Sequence, residues 1–368
     1  MNKPQIRFKG FEDEWKQSSF GALLNYIQPQ SYIVKSSKYK TRGIPVLTAG
    51  KSLLLGYTDE RFGVFNNLPC ILFDDFTTDS KFIDYPFKVK SSAAKMLVPF
   101  AKDANIYLLY LIMQNTSFEH SSHRRYWINE YSNIPIFLPS NAEQKQLTSI
   151  FAALDEMIAE AEREVNRLEK MKQASLQKMF PRPGAIAPEI RVGGFTEPWF
   201  SFRLCDISSY RSSSLKVSDA QQNGKYVLYD ANNPIGYIDS EPIRSEYVSI
   251  IKDGAGVGRC RLLPKNTFII GTLGAIIPKE NCHIDFLYNI ISNLRLGEKI
   301  SGSTIPHIYF SEYGLTQILA PSFSEQKAIG KYFRNLDSLL SAKRQKLVIL
   351  RNIKQACLDK MFVNTFEL

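Results

Sequence analysis

A chain of 368 residues with 46 lysines and arginines against 36 acidic side chains has a formal net charge of +10, which favours a polyanionic partner and does not bear on fold. Five cysteines, odd in number and without a Cys-x-x-Cys pair, argue against a disulfide framework or a zinc knuckle; with no secretory signal, a reducing cytoplasmic setting is expected. The longest apolar run, residues 106–113, is far too short to span a bilayer, so no membrane role is expected.

The chain opens on Pro4-Gln5-Ile6-Arg7-Phe8-Lys9-Gly10-Phe11, followed by Trp15. Short runs rich in branched and aromatic residues come next, among them Ile44-Pro45-Val46-Leu47 and Cys70-Ile71-Leu72-Phe73. Such runs, broken by turn residues, predict strands. Ile106-Tyr107-Leu108-Leu109-Tyr110 predicts a short buried helix. At Pro139 the pattern changes. Ser140 and Glu143 have the spacing of a capping box, in which the hydroxyl takes a free amide and the Glu reaches back to the cap. Apolar residues then recur at a helical period: Leu147, Phe151, Leu154, Ile158, Ala161, Val165, Leu168 and Met179. That is the seam of a helix with a coiled-coil partner. Pro181, Pro183 and Gly184 stop it. At 1.5 Å per residue, about 40 residues make a rod of roughly 60 Å.

The sequence then repeats itself. Pro188-Glu189-Ile190-Arg191-Val192-Gly193-Gly194-Phe195 and Trp199 match the opening. A second series of β-type runs follows, including Tyr226-Val227-Leu228-Tyr229, Tyr247-Val248-Ser249-Ile250-Ile251 and Thr267-Phe268-Ile269-Ile270. Ile284-Asp285-Phe286-Leu287-Tyr288 predicts a second short helix. Fainter echoes persist, Gly56-Tyr57-Thr58-Asp59 against Gly236-Tyr237-Ile238-Asp239 and Glu130-Tyr131 against Glu312-Tyr313. Residues 321–362 repeat 139–180 without a gap, from Glu325-Gln326-Lys327 to Lys360-Met361-Phe362. Their box is Ser322 and Glu325, and their seam Ile329, Phe333, Leu336, Leu340, Leu347, Leu350, Ile353 and Met361. A period this long is too great for a solenoid and means two copies of one domain-plus-helix unit.

The charge is unevenly spread. Residues 16–138 carry 14 basic against 9 acidic side chains, and residues 200–320 carry 12 against 11. The helix 141–180 has 6 against 7, with Asp155, Glu156, Glu160, Glu162 and Glu164 in its middle, whereas 321–362 has 9 against 3, with Lys343, Arg344, Lys346, Arg351 and Lys354. Each helix alone would expose an apolar stripe, and opposite charge favours their pairing within one chain.

Several motifs resemble catalytic ones and fail on inspection. Gly50-Lys51-Ser52 looks like the end of a phosphate-binding loop, but Pro45 stands where that loop needs a glycine. Lys252-Asp253-Gly254-Ala255-Gly256-Val257-Gly258-Arg259 lacks dinucleotide-binding spacing. It reads as a tight turn between strands, or as a loop that lets backbone and Arg259 or Arg261 approach a phosphate. Glu143-x-Lys145 and Glu325-x-Lys327 mimic the tail of a nuclease motif, yet both sit in capping boxes and are assigned to structure. His120, His123, His283 and His307 lack metal-ligand spacing, so no metal site is predicted. No Asn/Asp-Pro-Pro-aromatic run is present, and catalysis is not expected in this chain.

The paired openings Pro4–Trp15 and Pro188–Trp199, and the paired helices 139–180 and 321–362, resemble the specificity subunit of type I restriction–modification systems. Ser301-Gly302-Ser303-Thr304-Ile305-Pro306-His307-Ile308 is similar to the segment near the end of such a recognition domain; the first half departs there, with His123-Arg124-Arg125-Tyr126-Trp127-Ile128. The resemblance implies an α+β fold with an internal pseudo-two-fold repeat, in which two α+β target recognition domains are separated by two long antiparallel coiled-coil helices. The expected parts are domain 1 at 1–138, helix 139–180, linker 181–187, domain 2 at 188–320, and helix with tail at 321–368. It implies that each domain reads one half of a split double-stranded DNA target, and that the helices set the gap between the halves. It further implies two methyltransferase subunits carrying S-adenosylmethionine and adenine-N6 chemistry, restriction and motor subunits, no cofactor in this chain, and a cytoplasmic location. The alternative is a stand-alone DNA-binding coiled-coil protein.

Backbone contacts to DNA use Lys and Arg, and base reading favours Arg, Lys, Asn, Gln, Ser and Thr in loops. The expected contacts are Lys38, Lys40, Arg42, Lys51, Arg124 and Arg125 in the first domain. In the second they are Arg211, Ser213, Lys216, Arg259, Arg261 and Ser303. Tyr126 and Trp127, beside two arginines, are either core or a stacking platform for a base.

Overall fold

Every β-type run named above becomes a strand of three to five residues, and the strands assemble into the same pattern twice. The computed structural model describes residues 3–50, 52–101, 104–119, 124–182, 184–294, 296–302 and 304–363. It divides into one unit of Met1–Ala161 with Lys346–Leu368 and a second of Glu162–Gln345.

In the first unit the elements are β1 (Lys16–Ser19), α1 (Phe20–Leu23), β2 (Leu24–Ile27), β3 (Ile44–Leu47), β4 (Leu54–Thr58), β5 (Cys70–Asp74), β6 (Ser80–Ile83), β7 (Lys88–Val89), β8 (Ala94–Pro99), α2 (Ile106–Asn115), β9 (Pro135–Leu138) and the start of α3 (Asn141–Lys178). A four-stranded antiparallel sheet has the order β2-β8-β5-β6, and a three-stranded one the order β4-β3-β7, with β3 and β7 parallel. One face of the larger sheet packs Ile71, Phe73 and Leu97 on α2. Its other face packs Leu72, Met96 and Val98 toward the smaller sheet, with Leu47, Phe65 and Phe87. The alternation follows from the two-residue period of a strand.

The second unit holds β10 (Phe200–Arg203), α4 (Leu204–Ile207), β11 (Ser208–Ser212), β12 (Tyr226–Tyr229), β13 (Pro234–Ile238), β14 (Tyr247–Ile251), β15 (Cys260–Leu263), β16 (Thr267–Ile269), β17 (Leu273–Pro278), α5 (Ile284–Asn293), α6 (Phe310–Tyr313), β18 (Gln317–Ala320) and the start of α7 (Phe323–Met361). Its sheets have the orders β11-β17-β14-β15 and β13-β12-β16, again with one parallel pair. Strand for strand, this is the frame of the first unit. The surviving Gly56 and Gly236 echo has a steric cause. Both glycines have a positive φ, +151° and +152°, and a Cβ there would meet Tyr39 Cβ at 2.6 Å or the Gln221 carbonyl at 2.7 Å. Only glycine admits so close a neighbouring strand.

The two long helices pair antiparallel, as seen inside each unit. In the first unit the start of α3 meets the end of α7: Leu147 and Phe151 pack with Leu358, Met361 and Phe362, and Lys354 pairs with Asp155. In the second unit Met179 and Phe180, at the end of α3, pack with Ile329 and Phe333, at the start of α7. Lys172 pairs with Asp337, the repeat of the Lys354–Asp155 pair. Lys343 reaches Glu164 at 2.8 Å, and Arg344 pairs with Glu169. Of the seam residues, Leu336, Leu340 and Leu350 are buried, while Leu154, Ile158, Leu168 and Leu347 are half-buried. Ile353 departs from the expected seam. It is 44% exposed, because Leu350, Lys354 and Leu358 occupy the inward positions around it.

The first capping box forms only in part, and in the second no bond joins the Ser322 hydroxyl to the Glu325 amide. Ser140 Oγ accepts the Glu143 amide at 3.4 Å, but the Glu143 carboxylate does not turn back to the cap. It accepts Arg7 Nε at 2.9 Å, Arg7 Nη2 at 2.7 Å and Trp15 Nε1 at 3.2 Å. Glu325 is held by Arg191 in the same way. Each opening segment also caps a helix end, with the Ile6 amide donating to the Lys360 carbonyl and the Ile190 amide to the Lys178 carbonyl, both at 2.9 Å. Carbonyls in a last helical turn lack partners inside the helix, and these amides supply them.

Candidate nucleic-acid interface

In the second unit, β11, β12, β14 and β16 all finish at one end of the paired sheets, and their loops are tied together there. Ile270 donates to the Tyr229 carbonyl at 3.1 Å, Gly271 to Leu215 at 2.7 Å and Lys252 to Thr272 at 3.0 Å. The glycine-rich segment is the turn between β14 and β15, with Gly254, Gly256 and Gly258 all at positive φ. The Gly254 amide reaches the Pro306 carbonyl at 2.9 Å, and Ile308 donates to Lys252 at 2.9 Å. Ser301 and His307 close a small loop by exchanging amide–carbonyl bonds at 2.9 and 2.8 Å. Arg259 donates to Asn232 Oδ1 at 2.6 Å, and Arg261 lies 5.2 Å above the Tyr229 ring. The glycine-rich loop, the 230–233 turn and the 301–307 loop are thus one cluster.

The first unit has the same loop end with different side chains. Asp75 follows β5 and is 1% exposed. Its carbonyl accepts the Tyr126 amide at 2.9 Å, matching the Ile308 bond to Lys252. Its carboxylate accepts the Tyr26 hydroxyl at 3.1 Å and the Trp127 amide at 3.0 Å. Beneath Tyr26 lies Lys95, fully buried, its ammonium 5.2 Å from the ring centre and 3.0 Å from Gln28 Oε1. Burial, followed by the Arg125 charge, holds the Lys95 ammonium below the usual lysine range, with Asp75 opposing. Burial, then Asp75, pushes the Tyr26 hydroxyl up, so it stays protonated and donates. In the second unit Gly274 stands in the place of Lys95, and a Cβ there would lie 2.4 Å from the Tyr210 ring.

The expected contact residues fall into distinct places. Arg124 and Arg125 are exposed at the loop end; Arg124 pairs with Glu130 at 2.7 Å and Arg125 lies over the Phe76 ring. Lys38 is exposed, its amide on Ser36 Oγ. Lys40 bridges to the Tyr57 backbone and pairs with Asp59, at the end of the β3–β4 hairpin opposite residues 48–53, and Arg42 follows it there. Arg211 stacks on Phe268 and donates to the Glu241 and Pro242 carbonyls at 3.2 and 3.3 Å, which pins the 241–242 loop. Ser213 Oγ accepts the Leu215 amide, and Lys216 is exposed with its amide on Asp219. Lys51 and Ser303 lie outside the described residues, as do His120, His123 and Pro183. Tyr126 and Trp127 are 0% and 3% exposed, so the stacking-platform alternative is wrong and both are core. Sequence reasoning missed Gln28, Asp75, Lys95 and Asn232. Lys95 did leave a signal: it interrupts the apolar strand Ala94–Val98.

Exposed donors and acceptors on loops carried by a rigid frame suit recognition. Among the described residues there is no group of three or more His, Cys, Asp or Glu side chains that could hold a metal. No helix there is long and apolar enough to cross a membrane.

Comparison with known proteins agrees with this geometry. A family model described as the type I restriction modification DNA specificity domain matches residues 196–350. The specificity subunit of the Escherichia coli type I restriction enzyme EcoR124I/EcoR124II is 28% identical over 365 residues, covering 90% of this chain and 89% of its own. The type I restriction enzyme MjaVIII specificity subunit of Methanocaldococcus jannaschii is 21% identical, covering 94% and 92%. The crystal structure of a type I restriction–modification S subunit from M. genitalium superposes with a TM-score of 0.71 at 16% identity, covering 98% and 99%. That last likeness is one of fold.

Proposed function

We propose that this chain, which carries a type I restriction modification DNA specificity domain, is the non-catalytic specificity subunit of such a complex and reads a two-part DNA target with one loop end per unit. The observation that carries the reading is the repetition of one strand order with different side chains at the same loop end. A shared frame positions the backbone on the duplex, and differing loops discriminate bases. The charge of +10 adds sequence-independent attraction to phosphates.

Two equivalent frames offer two equivalent docking opportunities, which supports two methyltransferase subunits per chain. Those subunits would bring S-adenosylmethionine and the adenine-N6 chemistry, and the restriction and motor subunits would bring cleavage. A solved neighbour with a TM-score of 0.51 at 17% identity, covering 97% of this chain and 99% of its own, comes from work on complex assembly of the type I system. The complex would work in the cytoplasm, where chromosomal DNA is its substrate.

The test is to express the chain with its methyltransferase partner in a host that lacks adenine methylation, then sequence the methylated sites. A split target is expected. Replacing residues 16–138 with another domain of the same frame should change one half and spare the other. Joint alteration of both halves, or tight split-site binding by the chain alone with no methyltransferase attached, would overturn the reading. The latter result would mark a stand-alone DNA-binding protein.

A further inference from the structure

The interior of the first unit's loop end holds a charge that its frame does not require. Lys95 lies on β8 and is 0% exposed, and the equivalent position of the second unit is Gly274, where no side chain is present at all. Burying an ammonium is costly unless it is hydrogen-bonded. The Asp75 carboxylate, the obvious partner, is engaged by the Tyr26 hydroxyl and the Trp127 amide. The Lys95 ammonium instead donates to Gln28 Oε1 at 3.0 Å. Gln28 sits just beyond β2, its side chain exposed, and the following Pro29 is buried.

We infer that Gln28 is a base-reading side chain of the first unit and that Lys95 is its positioning residue. The inference rests on the reading above that the loop end faces DNA. A free glutamine amide can present either its oxygen or its nitrogen, so it reads donors and acceptors alike. A lysine ammonium is a donor only, and it can face only the oxygen. With Oε1 held from below by Lys95 and the amide also hydrogen-bonded to the Tyr26 side chain, the orientation of the amide is fixed, and an NH2 group has two hydrogens, so one remains for a base. Gln28 is therefore a donor, and the base it reads must offer an acceptor, such as guanine O6 or N7 or thymine O4. Tyr26 and Asp75 complete the device. The ring of Tyr26 covers the ammonium, and its hydroxyl is fixed by a carboxylate that is itself fixed by the Trp127 amide. In the second unit Ser212 follows Arg211 at the matching place on β11, with Gly274 beside it, so the device belongs to one half-target.

The experiment is methylated-site sequencing of the assembled complex carrying Gln28→Ala, Gln28→Glu or Lys95→Met. Gln28→Ala should relax one position of the first half-target, with roughly five- to tenfold less discrimination there. Gln28→Glu presents only acceptors, so the preference at that position should move toward a base donor, adenine N6 or cytosine N4. Lys95→Met, where it folds, should relax the same position because the amide is free to flip. A purely structural role would lower methylation evenly at all sites and leave every base preference unchanged. Wild-type preference at every position in Gln28→Glu, which keeps an acceptor for the buried Lys95 ammonium, would overturn the inference. So would a change confined to the second half-target. If the wild-type complex methylates no split target, the proposed function itself fails, and that outcome is distinct from either.

Discussion

Arg7 grips Glu143 through two parallel hydrogen bonds, Nε to Oε1 at 2.9 Å and Nη2 to Oε2 at 2.7 Å, on a carboxylate only 1% exposed. Arg191 and Glu325 repeat the arrangement. A planar guanidinium matches a carboxylate in this fork geometry and fixes its direction as well as its distance. The opening segment therefore sets the start of α3 against the first sheet, and it does so with the residue that sequence spacing assigns to a capping box.

Removing one partner of such a pair should be worse than neutralising it. Arg7→Ala leaves a buried carboxylate with only the Trp15 indole, and the loss should be about 3 kcal/mol. Glu143→Gln keeps an acceptor for Trp15 and leaves Arg7 12% exposed to water, so the loss should be nearer 1 kcal/mol. Urea unfolding followed by tryptophan fluorescence measures both, since Trp15 packs edge-on against Phe362. Equal midpoints for the two variants would show that the pair does not anchor the helix.

What the sequence made legible was whatever repeats at a fixed period. The helices 139–180 and 321–362, the short helices at Ile106 and Ile284 and the strand runs follow from periodicity, and the pairing of the long helices follows from their apolar seams and opposite charge, Asp155 and Glu164 against Lys354 and Lys343. Glu143 was misread because local spacing cannot reveal a partner 136 residues away. Ile353 was misread because Lys354, paired with Asp155, takes the inward position. At the loop ends the difficulty is general. An arginine that stacks on Phe268 and pins two carbonyls has the same sequence signature as one left for DNA. Lys95, the most informative side chain there, showed only as a charge inside an apolar strand.

Gly56→Ala and Gly236→Ala test whether the repeated glycine is steric. Each position has positive φ and less than 3 Å of room for a Cβ, so each substitution should destabilise by more than about 1 kcal/mol. The measurement is the urea midpoint. A variant as stable as the parent would mean that the β3–β4 or β12–β13 hairpin tolerates a wider spacing from its neighbour.

Glu60 ties residues 35 and 36 to the β4 end, accepting the Lys35 and Ser36 amides at 3.1 and 3.0 Å, with Lys88 3.4 Å away. The Ser36 amide foremost, then the Lys35 amide and Lys88, hold its carboxyl below the ordinary value. The folded state thus binds its proton less readily than the unfolded chain. Its stabilisation is present above the unfolded value, about 4.3, and is lost as pH falls through the depressed folded one. The difference in urea midpoint between the parent and Glu60→Gln should shrink on acidification through that window. A difference independent of pH would show that the carboxylate charge contributes nothing.

The antiparallel pairing of the long helices gives a cross-linking pattern with no engineered residues. Carbodiimide joins a lysine amine to a carboxylate only where the two already touch. The expected links are Lys354 to Asp155 in the first unit, and Lys172 to Asp337 and Lys343 to Glu164 in the second. These join the front of α3 to the back of α7 and the reverse, which only opposed directions allow. Cross-linking two groups that already form an ion pair keeps them in place, so the modification reports on geometry without unfolding the chain. Mixing isotopically light and heavy protein before the reaction separates links within a chain from links between chains. Mass-spectrometric mapping should find all three within one chain. Links from Asp155 to Lys327 or Lys331, near the start of α7, would instead demonstrate a parallel pair, and mixed light–heavy links would place the partner helix in a second molecule.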